Sequence, residues 1–266
     1  MDLHAASPQQ SPGSAVVMSS PAGIYDYLLG GSHHSAADRE AAEKALAIAP
    51  ETRFAARENR AFMQRAVRYI AERGVSQYID IGSGYPTVGP VHEVAAEIIA
   101  DPHVLYIDYD RSVTALSREL LQSPNTVTAA HDLRRPWEII DDPDVARLID
   151  WSEPVAVLMV AILHFVNDDE NPGEIVATFR DHMAPGSYLV VSHVSQGENP
   201  DAADEAARVW DSARSPVTLR TPSEIENLFA GFELIPPGLV TTTEWGTTEP
   251  APAGQALVVA GVGRVP

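Results

Sequence analysis

The sequence predicts an α/β fold: a doubly wound, mostly parallel sheet of seven strands, with an antiparallel edge strand and an N-terminal helical cap. Three observations carry this expectation. Short apolar runs alternate with segments of helical period from Ser76 to Ser192. The run Pro154 to Leu163 (PVAVLMVAIL) has no polar residue, which suits a central strand buried on both faces. Gln77-Tyr78-Ile79-Asp80-Ile81 reads as a strand that breaks at Gly82-Ser83-Gly84. Glycines there allow positive φ and the close approach of a ligand to the backbone.

Composition narrows the function classes. The chain has 266 residues, enough for one full-sized core, with 37 acidic against 18 basic residues and a formal net charge of -19. A surface that negative repels phosphate backbones and anionic lipids, so neither nucleic acid nor membrane is expected as a partner. There is no cysteine, which removes disulfides, thiolate metal sites and cysteine nucleophiles. No run of eighteen apolar residues is present, and no basic segment followed by an apolar one opens the chain. The expectation is a cytoplasmic protein.

Taken in order, residues 1–20 are rich in Ser, Pro, Gln and Ala and read as a disordered tail. Residues 21–75 read as a helical cap and residues 76–266 as the α/β core. Pro21 to Gly31 (PAGIYDYLLGG) is a short aromatic helix stopped by two glycines. It either docks on the body or acts as a lid that brings Tyr or Asp side chains over a site. Ser32-His33-His34-Ser35 leads into a helix from Ala36 to Ala47. Neighbouring histidines point in different directions and no third ligand lies at useful spacing, so no metal is expected. Residues 51–73 form an amphipathic helix ended by Gly74, with Asn59 and Arg60 midway.

The alternation follows. Strands are expected at Ser76 to Ile81, Val104 to Ile107, Thr126 to Ala130, Pro154 to Leu163 and Ser187 to Ser192. Helices are expected at Val88 to Ala100, Val113 to Gln122, Asp144 to Asp150 and Asn171 to Met183. The N-terminal N–H groups of the first of these helices are expected to point into the crevice at the glycines. Asn199 to Ala213 reads as an acidic helical insertion. Thr221-Pro222-Ser223-Glu224 has the pattern of a capping box opening a helix to Phe229. Phe232 to Leu239 and Ala256 to Val262 are two further strands, suited to antiparallel pairing at a sheet edge.

Open α/β sheets bind ligands beyond the carboxyl ends of their strands. The residues there are Asp80, Gly82 and Gly84, then Asp108, Asp132, His164 with Phe165, and His193. Asp108 is the first polar residue after an apolar strand, where a carboxylate can accept both ribose hydroxyls of an adenosine. Asp110 suits the N-cap of the next helix. A dinucleotide fingerprint needs a third glycine, and Thr87 stands in its place. The acidic strand end at Asp80, with no Lys or Arg beside it in the loop, suits a cofactor with an amino group and a sulfonium better than a pyrophosphate.

The motif Asp80-Ile81-Gly82-Ser83-Gly84, with Asp108 and His131-Asp132-Leu133, resembles that of class I S-adenosylmethionine-dependent methyltransferases. More closely, the chain resembles a bacterial methyltransferase family formerly catalogued as a domain of unknown function. The residues that carry the likeness are Tyr25 to Gly31, Ala37 to Glu40, Asn59 to Phe62, Gly82 to Thr87, Leu163-His164-Phe165 and Pro185 to Leu189. It spans residues 21–263. Ser32 to Ser35 depart from the Lys-Asp-Asn-Phe usual in that family. The resemblance implies S-adenosyl-L-methionine as cofactor and methyl transfer to oxygen or nitrogen of a small-molecule or peptide acceptor. It implies cofactor binding by Tyr25, Arg60, Asp80, Gly82, Gly84, Thr87, Asp108, Asp132 and Leu133. Tyr27, His34 and Phe165 would serve the lid and substrate. His164 is the candidate base or orienting group and His193 a second. A non-catalytic cofactor-binding module and an NAD-type oxidoreductase are the alternatives.

Overall fold

In the computed structural model, which describes residues 18–196, 216–247 and 258–266, the sheet is built around β1 (Gln77–Ile81). Parallel neighbours flank it, β2 (His103–Asp108) on one side and β4 (Val155–Val160) on the other. β3 (Thr126–Ala130) extends the sheet beyond β2, and β5 (Tyr188–Val194) beyond β4, both in parallel. β8 (Val258–Arg264) then runs antiparallel to β5. Its far side carries two short strands, β6 (Glu233–Leu234) and β7 (Val240–Thr241). Eight strands therefore fill seven positions. The single strand expected over 232–239 is broken because Pro236 and Pro237 have no N–H to give a ladder.

Alternation along the strands divides the core into two. Ile79, Ile81, Leu105, Ile107, Val157 and Met159 face one helical layer. That layer holds α6 (Pro136–Ile140), α7 (Pro143–Leu148), α8 (Pro172–Arg180) and α9 (Pro222–Asn227). Tyr78, Tyr106, Ala156, Leu158 and Val190 face the other, built from α3 (Thr52–Ala71), α4 (Val91–Ala96) and the buried Trp245. On each strand adjacent residues point to opposite faces, and both sets are apolar because both faces are covered. α5 (Arg111–Leu120) starts at Asp110, whose side chain caps Ser112 N–H at 2.8 Å as expected. α9 has the expected capping box.

α1 (Pro21–Leu29) lies over the carboxyl end of the sheet beside α3, and α2 (Ala36–Ile48) packs against α1 and α3. Ile24, Leu28, Ala42 and Ala56 make a small core between them. The helix expected from Val88 starts only at Val91, since Gly89-Pro90 closes the preceding loop and Pro90 takes the cap position. α6 was not foreseen. The expected tail, apart from Met18 to Ser20, and the acidic insertion lie outside the described residues. No helix among the described residues is long and apolar enough to cross a membrane.

Candidate functional site

The carboxyl ends of the parallel strands open into one cavity of about 530 Å³, with α1 and α3 as its facing wall. Tyr25, Arg60, Asp80, Gly82, Gly84, Asp108, Asp132, Leu133, His164 and Phe165 all line it. Four expected site residues, Tyr27, His34, Thr87 and His193, do not. Nor does the start of α4, so the crevice is made by the glycine turn itself and not by a helix end.

The turn is pinned to β2 by the N–H groups of Gly82 and Ser83, which donate to Ile107 O at 2.8 and 3.0 Å. Gly82 has φ +70°, and a Cβ there would fall 2.5 Å from Ile162 Cδ1, another wall of the cavity. Gly82→Ala thus meets two penalties, a left-handed backbone costing about 1–2 kcal/mol and displacement of Ile162. We expect a lower melting temperature and S-adenosylmethionine affinity reduced about tenfold or more. Calorimetry beside a thermal melt checks this, and wild-type affinity would refute it.

Asp80 is 7% exposed at the end of β1. Burial pushes its carboxyl up to about 6; Arg60 opposes the rise and Asp108 adds to it. A carboxylate so placed gains from a cation brought to it. Asp108 is held by two backbone donors, Gly84 N–H to Oδ2 and Asp110 N–H to Oδ1, each at 3.0 Å. Each oxygen keeps a second lone pair. Burial raises its carboxyl and the backbone donors offset part of that rise. The exposed ring of Tyr109, next in sequence, also borders the cavity and was not foreseen. An aromatic beside the strand-end acid was the available signal.

Asp132 comes to the cavity already paired. Arg134 grips it with Nε at 2.8 Å and a terminal nitrogen at 2.6 Å, and reaches Glu170 at 3.1 Å. The guanidinium holds the Asp132 carboxyl below its ordinary value. Any contact of Asp132 with an adenine must therefore be shared with Arg134.

On the facing wall the Tyr25 hydroxyl donates to Ala56 O at 3.1 Å and accepts from Asn59 Nδ2 at 2.9 Å. The Arg60 guanidinium lies 5.5 Å from the Tyr25 ring centroid. Asn59 Oδ1 accepts from Ser192 Oγ at 2.5 Å, and Ser192 Oγ accepts from Ala161 N–H at 2.9 Å. Ala161 has φ 55°, a left-handed non-glycine residue in the cavity wall, and such strain collects at functional sites. Side chains of α1, α3 and β5 and the end of β4 are thus joined in one chain of hydrogen bonds.

The lid tyrosine expected to reach inward does not. The Tyr27 hydroxyl meets Glu43 instead, and its ring lies 5.1 Å from the Arg53 guanidinium. Asp26, between the two tyrosines, does the holding. It is 3% exposed and accepts from His33 N–H at 2.9 Å, His34 N–H at 3.1 Å and Thr87 Oγ1 at 2.8 Å. His34 Nδ1 lies 3.1 Å from the same carboxylate. Thr87 and His34 therefore tie the lid to the glycine loop instead of lining the cavity. Gly31 permits this, because a Cβ there would sit 2.1 Å from Asp26 Oδ1.

Of the two histidines expected just beyond the central strands, His164 does follow β4, whereas His193 lies within β5 itself, which runs two residues further than Ser192. His164 lines the cavity in a 3-10 turn (Leu163–Phe165), 5% exposed, its ring 4.4 Å from that of Phe165. Burial, followed by His193 and Arg220, drives it well below the ordinary imidazole range. Its Nδ1 is buried without a hydrogen bond. His193 is fully buried behind it, with Nδ1 2.7 Å from Val194 O and Nε2 2.8 Å from an Arg220 nitrogen. Both ring nitrogens are spent, so His193 is no second base. Among the described residues no group of three His, Asp or Glu is placed to hold a metal ion.

These residues fit S-adenosylmethionine. A buried acid awaits a cation, an anchored acid keeps free lone pairs, and at Gly82 a Cβ would drive Ile162 from its place in the cavity wall. Comparisons point the same way. The family model described as S-adenosyl methyltransferase matches residues 10–266. A candidate methyltransferase from Thermobifida fusca YX is 39% identical, with a TM-score of 0.89 over 96% of this chain and 97% of that one. A DUF574 family protein from Streptomyces avermitilis is 34% identical, with a TM-score of 0.88 over 94% of this chain and 98% of that one. No curated protein matches.

Proposed function

The chain belongs to the S-adenosyl methyltransferase family, and from that premise we propose that it methylates a small molecule already nucleophilic at neutral pH. It is a methyltransferase that uses S-adenosyl-L-methionine, and the dinucleotide and non-catalytic alternatives give way. When bound, the cofactor supplies an electrophilic methyl group on a sulfonium.

Asp80 would hold the amino group and Asp108 the ribose hydroxyls, with the Gly82-Ser83-Gly84 backbone close against the ligand. Leu133 and Tyr109 would flank the adenine, and Arg60, over Tyr25, would face the methionine carboxylate. Methyl transfer by in-line displacement needs alignment and exclusion of water, which the wall of α1 and α3 favours. That wall also favours a small acceptor over a peptide.

The observation that carries the acceptor class is His164. A buried imidazole held well below its ordinary range is a weak base. It suits an amine nitrogen with a free lone pair, or an acidic aryl hydroxyl, and not an aliphatic alcohol. It would orient such a nucleophile and accept a proton late. Labelled S-adenosylmethionine incubated with aromatic amines, imidazoles, phenols, aliphatic alcohols and peptides tests this. Label should pass to the first three groups. Transfer to alcohols or peptides alone would overturn the proposal.

A further inference from the structure

Arg220 is not part of the cavity wall, yet it touches every element that presents His164. It is 4% exposed. One terminal nitrogen donates to Leu163 O at 3.0 Å and to His193 Nε2 at 2.8 Å. The other donates to Val166 O at 2.8 Å and to Asp168 Oδ1 at 2.7 Å, and Nε reaches the same oxygen at 3.1 Å. The two carbonyls bracket the turn that carries His164 and Phe165. The backbone of the same segment grips that turn as well, with Thr218 N–H on His164 O at 2.8 Å. Gln196 N–H on Arg220 O, at 3.1 Å, fastens the segment beside the end of β5.

A guanidinium can only donate. His193 Nε2 must therefore carry a lone pair, and its proton sits on Nδ1, which donates to Val194 O. The ring is neutral with one tautomer. His164 packs edge-on against it, with ring centroids 5.5 Å apart. The charged groups around the pair are Arg220 itself, Asp168, whose side chain is 79% exposed, and Glu224 beyond it. The buried positive charge is therefore the dominant one.

We propose that Arg220 is the positioning residue of the acceptor side, fixing the turn that presents His164 and Phe165 and locking His193 as the Nδ1–H tautomer behind it. A protonated His193 would set one cation against another, and the turn would lose its backing. The driven-down titration of both histidines agrees with this, burial being the larger cause and Arg220 a further one.

The test needs no acceptor. Two-bond nitrogen–proton spectra of protein labelled with ¹⁵N-histidine read tautomer and charge directly. In the wild type His193 should be the Nδ1–H form from pH 8 to 5. In Arg220→Gln it should become a tautomer mixture whose midpoint rises by about one pH unit. Arg220→Lys keeps the charge and can likewise only donate, so it should hold both the low midpoint and the Nδ1–H tautomer, while a single ammonium loses the fork that grips Leu163 O and Val166 O together. S-adenosylmethionine affinity should stay within about twofold in both, because Arg220 lies off the cavity. A wild-type His193 protonated on Nε2 would overturn the proposal, and so would a folded Gln variant with unchanged tautomer and midpoint. If the Gln variant does not fold, the wild-type tautomer and the Lys variant decide. The inference rests on His164 facing the acceptor. Failure of that reading would show as absent methyl transfer with the histidine spectra as expected.

Discussion

Asp80→Asn should weaken S-adenosylmethionine binding by at least about thirtyfold at neutral pH, and yet raise the melting temperature of the cofactor-free protein. The first effect follows from removing one partner of a buried charge pair, which costs about 2–5 kcal/mol. The second follows from the sign of the titration. Folding raises this carboxyl from 3.8 to about 6, with burial as the main cause. The ionised form is thus disfavoured in the folded chain. Its penalty is absent below pH 3.8, grows between 3.8 and about 6, and is complete above. It amounts to something on the order of 3 kcal/mol. Asparagine does not ionise and escapes it, so the apo protein should melt several degrees higher. In the wild type, binding should also weaken as pH falls through about 6, reaching roughly tenfold at pH 5 relative to pH 7. That dependence should vanish in the variant. An Asn variant that binds as tightly as wild type, or melts lower without cofactor, would remove Asp80 from the proposed role.

Asp26→Ala should loosen the lid. The substitution leaves three donors behind, the N–H groups of His33 and His34 and the Thr87 hydroxyl. A buried donor without a partner costs about 1–3 kcal/mol, so the loop recovers these bonds by opening to water. Amides 33 and 34 should lose protection in hydrogen exchange, and S-adenosylmethionine should dissociate at least about tenfold faster. Thr87→Val removes one donor with its bond and should show a smaller effect of the same sign. Unchanged exchange at both amides in Asp26→Ala would refute the latch.

The strands were legible because apolar runs of strand length, covered on both faces, leave little else for the chain to do. Where the expected elements failed, proline decided. Pro236-Pro237 interrupts the edge strand for want of N–H groups, and Pro90 postpones α4 by keeping Gly89 before it out of the helical region, at φ +53°. The acids at the ends of β1 and β2 could be found from topology alone, since a parallel sheet brings those ends together. Thr87 and His193 could not. Each has the right residue type in the right place, and each is engaged by a partner distant in sequence, Asp26 and Arg220. Nothing in the sequence distinguishes His164 from His193 until Arg220 is folded against one of them. Asp26, expected over the site along with its tyrosine neighbours, serves instead as the latch, because exposure, not residue type, assigns the roles there.

The broken strand at the sheet edge has a colloidal consequence. An uninterrupted outer strand offers another chain a template for pairing. Here the outer side of β8 is taken up at both ends by two-residue strands, with a proline pair at the join. A neighbouring molecule finds no continuous row of donors and acceptors on that side, and with a net charge of -19 it is also repelled. Concentrated solutions should therefore resist growth of ordered fibres from this edge.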